Sequence, residues 1–443
     1  MSELLNILQY LDDPNARYVL AGTFLLGISA GVLGCFAILR RRALVGDAVA
    51  HAVLPGVCLA FIIVGDKDPF ALLIGSMIFG WISMIVMDAI VRNTKLSTDA
   101  SIGMVLSVFF GLGVVLLTYI QSTGNVNQSG LDAFLFGNAA SLLPGDVMVF
   151  GTLSVIILIV IAVSYKEMKM VSFDPGFAKS IGYPVKRIEF LIATLMVMTI
   201  TVGLQAVGVV LMASMLIIPA AAGRYWTESL GIMIVIAGAV GAISGVGGTV
   251  ISGLAPAMPT GPWIVVTALF LFLISFMFAP KRGEVIRKLK NMRNRVRVQD
   301  ENVLKTIYLL EEQDGLAGKV RSMRDILKRR RMNIRKTRSS LARLHSDGLI
   351  QLIPGKPAGY LLTDEGRARA MRLVRVHRLW ELYLTSHVQI AGDHVHDDAE
   401  SMEHLITPEI EEQLTSLLGR PATDPHLRKI PYGETTTGGG LLS

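Results

Sequence analysis

Residues 40–57, RRRALVGDAVAHAVLPGV, place an aspartate and a histidine four residues apart, Asp47 and His51, between a basic triplet and the apolar run Val57 to Val64. On a helix these two side chains lie one turn apart on one face. His51 is nine residues past Arg42, about 13 Å along a helix, near the middle of a roughly 30 Å hydrocarbon layer. An ionisable pair at that depth is costly unless it faces a polar cavity or a partner. Two readings follow: a functional site, or a mutually satisfied pair that locks two helices. Carboxylate plus imidazole suits Mn(II), Fe(II) or Zn(II), and two ligands are too few for a closed site.

The rest of the chain makes the membrane reading firm. Of 443 residues, 52% are hydrophobic and 17% charged, too apolar for an ordinary soluble protein. Nine apolar stretches of spanning length lie between residues 18 and 279, the least distinct being the pair within 188–222, where GLQAVG (203–208) is a turn or a break. The fold class expected is an all-α polytopic membrane domain of about eight to nine transmembrane helices, followed by a cytoplasmic winged helix and, as the resemblance of the tail to a known family implies, a helical dimerisation domain. Asp88 reads as an interfacial residue or a salt-bridge partner of Arg92, and the glycine-rich stretch 238–253 as a close helix-packing surface. Cys35 and Cys58, both in apolar runs, form neither a disulfide framework nor a cysteine zinc site. The N-terminus lacks a cleavable signal pattern and reads as mature sequence.

Charge sets the orientation. Residues 1–280 carry 13 Lys+Arg and 14 Asp+Glu, while 29 of the 42 basic residues and seven of the eight histidines follow residue 280. Basic loops at 40–42, 92–95 and 166–187, with Arg224 and the tail from Lys281, belong inside by the positive-inside rule. The domain boundaries expected are 1–280 for the membrane part, 281–299 for a basic juxtamembrane amphipathic helix or linker that anchors on anionic lipid, 300–370 for a winged helix, 371–432 for the metal-binding and dimerisation helices that the same family resemblance implies, and 433–443 for a disordered tail.

RRRALVGDAVAHAVLPGV resembles the signature of permease subunits in the zinc, manganese and iron branch of ATP-binding-cassette importers. So do FDPGFAKSIGYPVKRIEF (173–190) and LQAVGVVLMASMLIIPAAAGRYW (204–226), and the resemblance covers residues 15–280. It implies that Asp47 and His51 line a metal site between two permeases, and that Asp174, Pro175 and Gly182 mark the segment coupling to an ATPase. Gly176 stands where the family often has Glu. The chain contains no G-x-x-x-x-G-K-[ST] phosphate loop, so ATP hydrolysis falls to a separate ATPase subunit and this chain binds no nucleotide. The partners implied are that ATPase, a second permease, identical or homologous, and an extracytoplasmic metal-binding protein. A secondary carrier needing no ATPase is the alternative, although such carriers usually hold more intramembrane acids.

In the tail, RSMRDILKRRRMNIRKTRSSLAR (321–343) and the turn-flanked apolar segments after Gly348 outline helix, helix and hairpin, a winged helix. The basic cluster Arg329, Arg330, Arg331, Arg335, Lys336 and Arg338 would lie on operator DNA; a solvated face or lipid contact is the plainer reading. His377 with Glu381, and His396 with Glu400, Glu403 and His404, are metal-capable groups at helical spacing. Residues 301–432 resemble the diphtheria-toxin-repressor family through HRLWE, VHDDAESMEH and LLGRPATDPHLRKIP. The resemblance implies His377, Glu381 and His396 at one metal and Glu400, Glu403 and His404 at its neighbour, holding a divalent transition metal as regulatory ligand. Where manganese-type members place acidic ligands, Asn302 and Lys305 stand here, and the third, SH3-like domain of longer members has no counterpart. The tail is then either a DNA-binding, metal-dependent repressor or a transport gate that binds no DNA.

Overall fold

Two apolar helices pressed together through glycine form the spine of the membrane part. In the computed structural model, which describes residues 14–40, 43–122, 137, 144–254, 258–315, 318–330, 332–355, 358–390, 399–400 and 402–432, α1 (Pro14–Leu39) runs against α10 (Leu230–Gly253). A Cβ on Gly27 would meet the Gly241 carbonyl oxygen at 2.2 Å, and one on Gly241 would meet that of Gly27 at 2.1 Å. Only glycine permits this approach, as expected for the 238–253 stretch. Thr249 Oγ1 donates to Thr23 Oγ1 across the same contact.

The remaining helices are α2 (Ala43–Val64), α3 (Pro69–Asn93), α4 (Thr98–Ser122), α5 (Pro144–Val163), α6 (Tyr165–Phe173), α7 (Pro175–Ser180), α8 (Val185–Val207), α9 (Val209–Trp226) and α11 (Thr260–Phe278). Among the described residues, seven helices are long and apolar enough to cross a membrane. The count reaches eight when α5 and α6, bent by 70° about Ser164, are taken as one broken span. The ninth apolar stretch is α9, 18 residues or about 27 Å long. The ambiguous segment 188–222 is two helices that meet at Gly208, whose φ of 90° and ψ of 158° suit only glycine. Arg92 and Asp88 are paired at 3.8 Å on an exposed surface. Cys35 and Cys58 are buried and unlinked.

The chain divides into two compact units, Met1–Arg287 and Lys288–Ser443. The basic stretch after the last span and the first soluble helix form one helix, α12 (Glu284–Asp314). The second unit continues with β1 (Arg321–Ser322), α13 (Met323–Arg329), α14 (Ile334–Ser346), β2 (Ile350–Ile353), β3 (Gly359–Leu362), α15 (Asp364–Ser386) and α16 (Pro408–Leu417). Local chemistry sets these boundaries: Ser322 and Asp325 form a capping box at α13, Asn333 caps α14 through its Oδ1, and Thr363 and Thr407 cap α15 and α16, each satisfying amides that a helix start leaves free. The antiparallel sheet has the order β1-β3-β2, with Ile350 opposite Leu362. Its apolar face closes on Val303, Leu304, Ile307, Ile326, Leu341 and Leu344. This is a winged helix, with α14 the helix that precedes the β2–β3 hairpin. The 433–443 tail lies outside the described residues.

Candidate functional site

The membrane site is an open edge on a buried helix. Along α2, Ala48, Val49, Ala50, Ala52, Val53 and Leu54 are at most 1% exposed, yet the side chains of Asp47 and His51 are 34% and 13% exposed. Leu44, Asp47 and His51 share one face by spacing, exposed at Leu44 and closed at Leu54. His51 Nδ1 lies 2.9 Å from the Asp47 carbonyl oxygen and 3.4 Å from its carboxylate. With Nδ1–H donating there, Nε2 carries the lone pair available to a cation. Phe110 of α4 holds the ring edge-on at 5.1 Å. Pro55, four residues on, has no N–H, so the His51 carbonyl loses its intrahelical partner. The site thus offers a carboxylate and an imidazole nitrogen.

The expected coupling segment folds as a short helix with an apolar outer row. Asp174 caps α7 by accepting from the Phe177 amide at 2.9 Å, Pro175 takes the first position, and Gly182, at φ 89°, turns the chain toward α8. Phe173, Phe177 and Ile181, spaced by four, are 55%, 56% and 48% exposed. Beyond them Glu189 on α8 pairs with Arg40, at the end of α1 and just before the site helix. No local signal joins these two residues, which are 149 positions apart.

The cytoplasmic unit gathers most of the expected regulatory residues, with two cations among them. His377 Nε2 is 3.1 Å from Glu381 Oε1, and its Nδ1 is 2.6 Å from Glu403 Oε2. Lys305 Nζ lies 2.6 Å from that same Glu403 oxygen, with both side chains almost wholly buried. Burial pushes the Lys305 ammonium below its ordinary range, and Glu403 opposes that only in part. Burial works to raise Glu403, but His377 and Lys305 outweigh it and hold the carboxyl low. His377 is likewise held above the usual imidazole range by Glu381 and Glu403 against its burial. His404 Nδ1 lies 2.7 Å from Glu301 Oε2, a partner with no sequence signal across 103 residues. Its Nε2 is 3.5 Å from Glu403 Oε1, and neither of these buried atoms has a hydrogen-bond partner among the described residues. Glu400 is held by Arg330, whose other guanidinium nitrogen donates to Asn302 Oδ1 at 3.1 Å.

Arg330, expected on the DNA face, is therefore turned inward, whereas Arg329, Arg335, Lys336 and Arg338 are exposed. Arg331 and His396 lie outside the described residues. Among those residues no three His, Cys, Asp or Glu side chains converge as a ready metal site. The two acceptor atoms His404 Nε2 and Glu403 Oε1 fit a divalent cation; the set His377, Glu381 and Glu403 Oε2 does not, because Lys305 already stands in it.

Residues 12–279 match the model of the ABC 3 transport family. The chain belongs to that family. Residues 363–432 match the metal binding and dimerisation domain of iron dependent repressors. The manganese transport system membrane protein MntC of Bacillus subtilis is 42% identical over 422 residues, 95% of this chain and 96% of that protein. The zinc transport system membrane protein TroC of Treponema pallidum is 39% identical over 277 residues, 62% of this chain and 93% of that protein. Among solved structures, PsaBC from Streptococcus pneumoniae in complex with Fab aligns at a TM-score of 0.58 and 34% identity, covering 65% of this chain and 99% of that one. The chain is thus a multi-pass permease of the plasma membrane with a fused repressor-like domain.

Proposed function

We propose that this chain carries manganese, iron or zinc inward as half of a permease pair. Separate ATPase subunits drive it and an extracytoplasmic metal-binding protein supplies it. The observation that carries this reading is the open Asp47–His51 edge, where one chain offers two side-chain ligands; on this reading a second chain, identical or homologous, supplies the other two. Manganese ranks first, since the Bacillus relative similar over both parts of the chain is a manganese transport protein. The row Phe173, Phe177 and Ile181, from the end of α6 through the Asp174–Gly182 segment, is the surface that docks on the ATPase.

The cytoplasmic unit binds operator DNA through α14, with Arg335, Lys336 and Arg338 of that helix and Arg329 at the end of α13 on phosphates. Uptake of radiolabelled manganese by cells tests the transport site. Asp47→Ala and His51→Ala each reduce uptake to background while the protein still reaches the membrane, and uptake at the parent level in both variants would sink the assignment.

A further inference from the structure

The buried cluster of the cytoplasmic unit contains two sets of cation-binding atoms that share Glu403. On one side are His377, Glu381 and Glu403 Oε2, with Lys305 Nζ 2.6 Å from that oxygen. An ammonium there neutralises the carboxylate and repels a divalent ion that would need the same space. On the other side are Glu403 Oε1 and His404 Nε2, 3.5 Å apart in side chains 0% and 4% exposed, both without hydrogen-bond partners among the described residues. Buried polar atoms left unpaired are costly and rare. Glu301, on Nδ1 of His404, directs the Nε2 lone pair toward this point, as carboxylates behind metal-bound histidines do. A third donor is near at hand: Glu400 precedes Glu403 by three residues and His404 by four, but Arg330 holds it.

We propose that the unit is a one-ion sensor with an arginine latch: Lys305 permanently fills one of two cation positions, and Arg330 competes with a single divalent transition-metal ion for Glu400. In this structure the latch is closed, with Arg330 bridging Glu400 and Asn302. When Glu400 turns to the ion beside Glu403 and His404, Arg330 is released next to Arg329 and the Asn333 cap of α14. One more guanidinium then joins the basic face. That last consequence rests on the reading of α14 as the DNA-contacting helix; the competition for Glu400 does not.

The test uses the full chain in detergent carrying Asp47→Ala and His51→Ala, which removes the transport ligands, with Mn²⁺ as the probe and bound ions per chain as the readout. One ion per chain is expected, none with His404→Gln, and two when Lys305→Glu is added. Arg330 has a side chain 33% exposed, so Arg330→Gln should preserve the fold, which the unfolding midpoint of the variant checks. The substitution should tighten Mn²⁺ binding by about 10-fold or more, the order of magnitude of one close, partly buried ion pair that no longer competes for Glu400. Zero or two ions in the chain that retains Lys305 overturns the one-ion site, and an Arg330→Gln affinity equal to the parent's overturns the latch. On a duplex from upstream of the protein's own gene, Arg330→Gln should weaken only the Mn²⁺-dependent binding. A parent chain that ignores this duplex counts against the repressor reading and leaves the ion measurements to decide the latch.

Discussion

Lys305 Nζ and Glu403 Oε2 meet at 2.6 Å in a part of the cytoplasmic unit where their side chains are 6% and 0% exposed. Taking one charge from a buried pair strands the other. Lys305→Met should therefore destabilise this unit by about 3–5 kcal/mol, read as a lower midpoint in its denaturant or thermal unfolding. Added Mn²⁺ should restore part of the loss, because the carboxylate regains a cation. An unchanged midpoint would mean that the pair contributes nothing net.

The exposed row Phe173, Phe177 and Ile181 runs from the last residue of α6 through the segment that leads to α8. Phe177→Ser should leave the protein's level unchanged, since the ring is exposed, but weaken retention of the ATPase on the purified permease and lower uptake in proportion. Full ATPase retention by a Phe173→Ser, Phe177→Ser double variant would remove this row from the docking surface.

Arg40 and Glu189 join the end of α1 to α8, on either side of the path from the coupling segment to the site helix. Either Arg40→Gln or Glu189→Gln should cut transport several-fold more than it lowers protein level. The charge-swapped pair Arg40→Glu with Glu189→Arg should recover part of the loss, as coupling between neighbours requires. Equal additive losses in the swapped protein would show that the two residues act separately.

Gly241 meets the Gly27 backbone where a Cβ would sit 2.1 Å from a carbonyl oxygen. Backbone cannot yield as a flexible side chain can, so Gly241→Val should separate α1 from α10 and reduce folded protein in the membrane several-fold. Gly103→Val serves as the control and should accumulate like the parent, because a Cβ at this helical position would meet nothing within 4 Å among the described residues.

Lys336 and Arg338 are exposed on α14, after the Asn333 cap. Replacing both with Ala should weaken DNA binding across all sequences and reduce the slope of log K against log salt by roughly 0.9 for each lost phosphate contact. A gel-shift series at several salt concentrations measures both effects. Unaltered slope and affinity would place the DNA elsewhere or nowhere.

What the sequence alone determined is what depends on neighbours a few residues away. Hydropathy over twenty residues sets a span, lysine and arginine between spans set its direction, and Asp47 four residues before His51 sets a shared face. The same holds for the winged helix, whose order follows from Asn333, Gly348 and two apolar segments, each acting within a turn or two. Only the tertiary structure decided the partners. Lys305 reaches Glu403 across 98 positions and His404 reaches Glu301 across 103, while Arg330 leaves a basic cluster to hold Glu400. Local free energies choose helices, strands and caps; which charge lies beside which is settled when those elements pack, because a buried charge must find its counterion wherever packing puts one.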